Sequence, residues 1–224
     1  MPSDSDAMRL EDVLDELVIW SDFGGVLTDP VPSVLDRVAA ECAVPAAALL
    51  LACEAVAAAY GGDGLAPLEL GALGEAEWGG LVTAALAPDW TPAADLGRFS
   101  EMWYRDRSFN AELYEALLHR RGARCRLAML TNSVREWEPY RRALIPDAAG
   151  FEAILRSHEH GIRKPDPRIF RLAETHLGVA ASSCLLIDDS ADNCRAAETA
   201  GWQAIRHREN AETLERLDRV LAAL

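Results

Sequence analysis

The sequence predicts an α/β protein: a parallel-sheet core interrupted, between its first and second strands, by an all-helical insert. Three observations carry that expectation. Apolar runs alternate with helical patterns from residue 110 to the end of the chain, as βαβ units and a parallel sheet require. A single further run, Leu17 to Asp22, stands near the start and is followed at once by Gly24-Gly25. Between the two, from about Val31 to Phe109, no segment has strand character.

The elements follow in order. Leu17-Val-Ile-Trp-Ser-Asp22 is short, apolar and bounded by glycine, which reads as a buried strand rather than a helix. Helical stretches then run on, with turn signals at Gly61-Gly62, Gly79-Gly80, Pro88 and Pro92. After them come a helix over Ala111–Arg121, a strand over Cys125–Leu130, a helix over Val134–Leu144 and a strand over Phe151–Leu155. A helix over Pro167–Leu177, a strand over Ser183–Ile187, a helix over Ala191–Ala200, a weaker strand over Trp202–Arg206 and a helix over Ala211–Ala223 complete the chain. The expected organisation is a core of residues 1–30 and 110–224 and a helical cap of residues 31–109. Such a cap would sit over the carboxyl edge of the sheet, where open α/β sheets bind ligands.

Composition narrows the partners. Across 224 residues, 22 Lys and Arg against 36 Asp and Glu leave a formal charge of −14, which argues against a nucleic-acid backbone as ligand. Half the residues are hydrophobic, enough to build a core. The first fifteen residues are acidic and lack the basic and apolar regions of a signal peptide. The longest apolar-looking stretch, Val44 to Tyr60, is broken by Pro45 and Glu54 and falls short of the roughly 20 apolar residues that span a bilayer. The five cysteines are scattered, without a CxxC pair, and read as buried thiols in a reducing compartment. The expectation is a cytoplasmic protein with a small-molecule partner, and with neither nucleic acid nor membrane.

Polar residues gather where the apolar runs end. Asp22 closes the first, Thr131-Asn132 the second and Asp188-Asp189 the fourth, while Lys164 lies in the loop before a helix. Singly, each is a turn former or helix cap. Together, three carboxylates meeting in one crevice repel and lose solvation, which is costly unless a cation and a lysine balance them.

In order and spacing, Asp22-Phe-Gly-Gly-Val-Leu27, Leu130-Thr-Asn-Ser133, Lys164-Pro-Asp-Pro167, and Ile187-Asp-Asp-Ser190 with Asn193 resemble the haloacid dehalogenase-like hydrolases over nearly the whole chain. The resemblance implies a Rossmann-like core with the Asp22 strand central, and an insert similar to the C1-type cap of subfamily IA. It implies that Asp22 attacks the substrate and forms a covalent aspartyl intermediate that water hydrolyses, dividing one displacement into two easier steps. It implies Mg²⁺ held by the oxygens of Asp22, Asp188, Asp189 and the Gly24 carbonyl, a hard donor set suited to that ion. Thr131 and the amide of Asn132 would bind the phosphoryl group, Lys164 would neutralise nucleophile and transferred group, and Ser190 and Asn193 would orient the acidic loop. The substrate class implied is a small soluble phosphate monoester of the sugar or polyol kind.

One position departs from the pattern. Phosphatases of the family usually carry a second Asp two residues after the nucleophile as general acid and base, a role worth about 10²–10⁴ in rate; here that residue is Gly24. Three readings follow. A phosphatase could use water or a surrogate such as Asp29, although a turn role before Pro30 suits Asp29 better. A 2-haloacid dehalogenase needs no proton for halide, but the family's dehalogenases carry Tyr at this position and a halide-binding Arg, for which Arg37 has no supporting context. A catalytically silent phospho-ligand or protein-binding domain would not need to keep Asp22, Thr131, Lys164, Asp188 and Asp189. Phosphatase is the favoured reading. Trp78, Trp90, Trp103 and Tyr104 are expected mostly to pack the insert, with Glu54, Tyr60, Trp103 and Arg105 as candidate cap contacts. His158 and His160 are expected at the surface, with no third ligand to make a zinc site.

Overall fold

The computed structural model describes residues 17–122, 125–145 and 150–224. Strands β1 (Leu17–Ser21), β2 (Cys125–Thr131), β3 (Ile154–Arg156), β4 (Cys184–Asp188) and β5 (Gln203–Arg206) form one parallel sheet in the order β3-β2-β1-β4-β5. β1 is central and every residue in it is buried. Its alternate side chains enter two separate apolar clusters: Leu17 and Ile19 pack with Leu127 and Leu185, Val18 and Trp20 with Ala128 and Leu186. A strand covered on both faces carries apolar residues at every position, and hence reads as a continuous run.

Between residues 31 and 109 the chain forms α1 (Val31–Glu41), α2 (Ala46–Ala59), α3 (Ala66–Glu69), α4 (Glu75–Leu86) and α5 (Phe99–Tyr104), and no named strand. The two ends of this insert are tied together. Thr28 pairs with Phe109 in an antiparallel bridge, and Asn110 donates its main-chain N–H to Leu27 O at 2.8 Å and its side-chain amide to Val26 O at 2.9 Å. Gly79-Gly80 is not a turn but lies inside α4. The reason is close packing: a Cβ on Gly79 would stand 2.3 Å from Leu96 C and Gly97 N, so only glycine lets that backbone approach. Aromatic rings join insert to core, with Trp103 stacked on Trp137 at 4.7 Å between centroids and Tyr104 on Tyr140 at 5.4 Å.

The remaining helices are α6 (Ala111–Arg120), α7 (Glu138–Leu144), α8 (Ser157–His160), α9 (Pro167–Leu177), α10 (Ala191–Thr199) and α11 (Asn210–Ala222). Leu113 and Leu117 of α6 and Leu217 of α11 cover one face of the sheet, and Phe170 of α9 and Ala197 of α10 the other. The edge strand β3 begins three residues later than its apolar run, because Glu152 and Ala153 still bond to β2 but outside a regular ladder. The expected helix at Val134 starts instead with a 3₁₀ turn, Arg135–Trp137, before α7. All five cysteines are buried and unpaired. Among the described residues, no single helix is long and apolar enough to cross a membrane.

Candidate active site

Parallel register brings distant residues to one edge. Ser21 lies opposite both Met129 and Ile187, so Asp22 emerges beside the ends of β2 and β4, where Thr131 and Asp188 stand. The main-chain N–H of Asp22 donates to Ile187 O at 2.8 Å, fixing the turn from which its carboxylate projects.

Lys164 is buried beneath that carboxylate. Its Nζ forms an ion pair with Asp22 Oδ1 at 3.0 Å and donates hydrogen bonds to Asp188 Oδ2 at 2.6 Å and Leu130 O at 2.7 Å. Asn132 holds the lysine's backbone: its Oδ1 accepts from Lys164 N at 2.9 Å and its Nδ2 donates to Lys164 O at 3.0 Å. The side chain of Asn132 is therefore committed to Lys164, and only its main-chain amide is left to face a ligand.

Asp188 is fully buried and already saturated. Oδ1 accepts from Ser190 N at 2.9 Å and Asn193 Nδ2 at 3.0 Å, while Oδ2 accepts from Lys164 and from Asn193 Nδ2 at 3.1 Å. Ser190 also caps α10, accepting at Oγ from Asn193 N at 3.3 Å. Capping and orientation of the acidic loop are thus one arrangement. Asp189 turns the other way, against Gly25, which has φ +74°.

The electrostatics are unbalanced. Burial pushes the Asp22 carboxyl up to about 7; Lys164 opposes the rise, and the neighbouring charges of Asp188 and Asp189 add to it. Burial works against the charge of Lys164, but Asp188 and Asp22 outweigh it and hold the ammonium above its ordinary range. Carboxylate oxygens of Asp22, Asp188 and Asp189 lie within 4.8 Å of one another, the one such group of three among the described residues. Three carboxylates against one ammonium, with Asp22 Oδ1 buried and accepting no hydrogen bond beyond its ion pair, fit a hard divalent cation. Asp22 and Asp189 have open acceptor positions for such an ion, whereas Asp188 would reach it only by giving up a present partner or through water.

A cavity of about 240 Å³ opens above this cluster. Asp22, Gly24, Thr131, Asn132, Asp189, Ser190 and Asn193 all line it, with Lys164 and Asp188 below. The insert supplies Val31, Leu65, Glu69, Trp103, Tyr104 and Arg107 to its walls. Of the candidate cap contacts, Trp103 alone reaches it; Arg105 pairs with Glu41 at 2.5 Å, and Tyr60 is exposed. Asp29 is outside, where its carboxylate accepts from Arg37 at 3.3 Å and Ser108 N at 3.1 Å and latches the base of the insert. Glu69 and Arg107 escaped the sequence reading. No local pattern marks either; Arg107 is brought in only because Phe109, two residues on, pairs with Thr28 beside the turn that follows Asp22.

The family model for haloacid dehalogenase-like hydrolases matches residues 18–201, and the chain belongs to that family. Its five-stranded sheet is parallel throughout. By sequence it is 35% identical over 112 residues to a phosphoserine phosphatase of Thermus thermophilus, a match covering 47% of this chain and 44% of that protein. The chain therefore spans less than half the length of that relative. By structure it is similar, with a TM-score of 0.61 and 19% identity, to a HAD family enzyme of Bacteroides thetaiotaomicron in complex with magnesium and inorganic phosphate, covering 86% of this chain and 94% of that one. A 2-haloacid dehalogenase of Pseudomonas syringae pv. Tomato DC3000 is similar with a TM-score of 0.63 and 21% identity, covering 93% and 99%. At these identities the structural likenesses speak for the fold alone.

Proposed function

We propose that this hydrolase is a magnesium-dependent phosphatase acting on a small soluble phosphate monoester of the sugar or polyol kind, through an aspartyl-phosphate on Asp22. The observation that carries the reading is the Lys164 ammonium placed between Asp22 and Asp188, with Asp22 lining the cavity above. Such a cation keeps the nucleophile ionised in a buried site and meets the negative charge of a phosphoryl group entering it. Mg²⁺, held by Asp22, Asp189, the Gly24 carbonyl and the Asp188 side of the cluster, would supply Lewis-acid charge to the phosphoryl oxygens.

The chain's own residues do the rest. The Asp22 carboxylate bonds to phosphorus as the bond to the ester oxygen breaks, and that oxygen leaves with the electron pair. Gly24 has no proton to give, so water protonates the leaving alkoxide. A second water then bonds to the same phosphorus and loses its proton to solvent. The bond to Asp22 breaks, its carboxylate is restored and inorganic phosphate departs. Thr131 Oγ1 and the Asn132 amide donate to the phosphoryl oxygens throughout, and the helical insert over the edge keeps bulk water from the intermediate.

The test is phosphate release from sugar, polyol and aryl phosphates with Mg²⁺ or EDTA, in wild type and Asp22→Asn. Release that requires Mg²⁺ and falls at least 10³-fold in the variant is expected, since the covalent step is lost. A folded protein that releases no phosphate from the whole series overturns the reading. Gly24 favours one competitor, because halide leaves without a proton; chloride release from 2-chloropropionate by the same preparation would establish that 2-haloacid dehalogenase instead.

A further inference from the structure

Arg107 is a buried cation without an anion. It is 6% exposed, and among the described residues no carboxylate lies within ion-pair distance of its guanidinium. The other well-buried arginines are all paired: Arg141 with Glu138, Arg156 with Glu138 and Glu159, Arg163 with Glu69 and Asp63. Arg107 has only a long 3.4 Å bond from Nη2 to Asp29 O, and its Nε is buried without any partner. Three rings enclose it instead, with Phe23, Trp103 and Tyr104 centroids 5.8, 5.3 and 5.4 Å from its central carbon. Burial pulls the guanidinium below its ordinary range, so the fold bears a cost here that the rings offset only in part.

The group faces the reacting centre. Arg107 lines the same cavity as Asp22 and Thr131, and its Nη2 stands 3.5 Å from where a Cβ on Gly24 would be. Gly24 leaves that space open beside Asp22, in a cavity of about 240 Å³. A buried guanidinium fork without an ion-pair partner on the wall of a small cavity matches a carboxylate, which it can bind through two parallel hydrogen bonds.

We propose that Arg107 is a specificity-determining residue that binds a carboxylate carried by the substrate, one or two carbons from the ester oxygen. The substrate is then a small hydroxy-acid phosphate, and its second negative charge supplies the partner that the folded chain withholds from Arg107. This rests on the phosphatase reading for the ester, though not for the carboxylate.

The experiment uses pairs that differ in that carboxylate. Phosphate release is measured from O-phosphoserine and O-phosphoethanolamine with Mg²⁺, and calorimetric binding with 3-phosphonopropionate and propylphosphonate, which cannot be hydrolysed. Wild type should favour the carboxylated member by about 10²-fold in kcat/KM and in affinity, as a charged hydrogen-bonded contact allows. Arg107→Met should bring that ratio to within a few-fold of one, and Arg107→Lys, a point charge without the fork, should leave it in between. A wild-type ratio near one, an unchanged ratio in the variants, or no binding of either phosphonate overturns the proposal. If no ester is turned over but 3-phosphonopropionate binds with an Arg107-dependent preference, the carboxylate site stands and the phosphatase reading falls. Should Arg107→Met fail to fold, Arg107→Lys decides: an undiminished ratio there overturns the proposal.

Discussion

Gly25 is the residue against which the acidic loop rests. Its φ of +74° suits glycine, and a Cβ there would fall 2.2 Å from Asp189 Oδ2 and 2.5 Å from its Cγ. Alanine at this position meets two penalties, the strained backbone and a carboxylate that has to move. Gly25→Ala should fold with a stability loss of about 1–2 kcal/mol and should need at least tenfold more Mg²⁺ for half-maximal phosphate release. Denaturant unfolding and a Mg²⁺ activation curve read the two effects separately. A variant that loses the stability but keeps the Mg²⁺ requirement would remove Asp189 from the proposed metal site. The residue scale is also where the sequence was most legible. Asp22, Thr131 and the Asp188-Asp189 pair are each marked by ending an apolar run, and a parallel sheet must bring such ends together. What no local pattern marks is a partner far along the chain: the side chain of Asn132 clamps Lys164 across 32 positions, and Glu69, unmarked in the sequence, meets Arg163 across 94.

The segment from Gly161 to Pro167 serves two parts of the fold with adjacent side chains. Lys164 points down into the cluster, while Arg163 reaches out to the insert, donating from Nη1 to Glu69 Oε2 at 2.5 Å and pairing through Nη2 with Asp63. Ser157 Oγ adds a bond to the Glu69 carbonyl at 2.6 Å, so α3 is held to the core at both its side chain and its backbone. Burial pushes the Glu69 carboxyl up and Arg163 counters that rise, which makes Arg163 the group that allows a charge to sit in the cavity wall. Removing one partner of such a pair leaves a buried charge exposed to the full desolvation cost, whereas removing both does not. Arg163→Met should therefore destabilise the protein by about 3 kcal/mol, and Arg163→Met with Glu69→Leu should recover more than half of that. Chemical denaturation of the two variants checks it, and additive losses would show that the clasp carries no coupling. At this scale the reading of the chain went wrong where packing overrode a local signal. Gly79-Gly80 looks like a turn in isolation, but a helix uses Gly79 to let the Leu96–Gly97 backbone come close. The absence of strands from 31 to 109 was legible for the opposite reason, since helical stretches and turn signals there agree.

Across the whole molecule, negative charge is both diffuse and focused. The formal −14 is spread over a surface that salt screens within about 8–10 Å. The cluster of Asp22, Asp188 and Asp189 is sheltered from that screening, with one lysine to balance it. Burial and the neighbouring Asp188 hold the Asp189 carboxyl above the usual carboxylate range, so at neutral pH its charge works against the fold. The site is thus a place where stability is spent on function, and the two can be separated by one atom. Asp189→Asn removes the charge while keeping the shape, so the metal-free variant should melt higher than metal-free wild type. Mg²⁺ should reverse the order: a ligand at a hundred times its dissociation constant adds about 2.7 kcal/mol to the protein that binds it, and only wild type keeps the full donor set. Thermal unfolding with EDTA and with a Mg²⁺ series at constant ionic strength reads both arms, since the diffuse charge responds equally in the two proteins. An equal Mg²⁺ shift in both would place the ion away from Asp189, and a metal-free variant that melts lower would show the carboxylate to be structural.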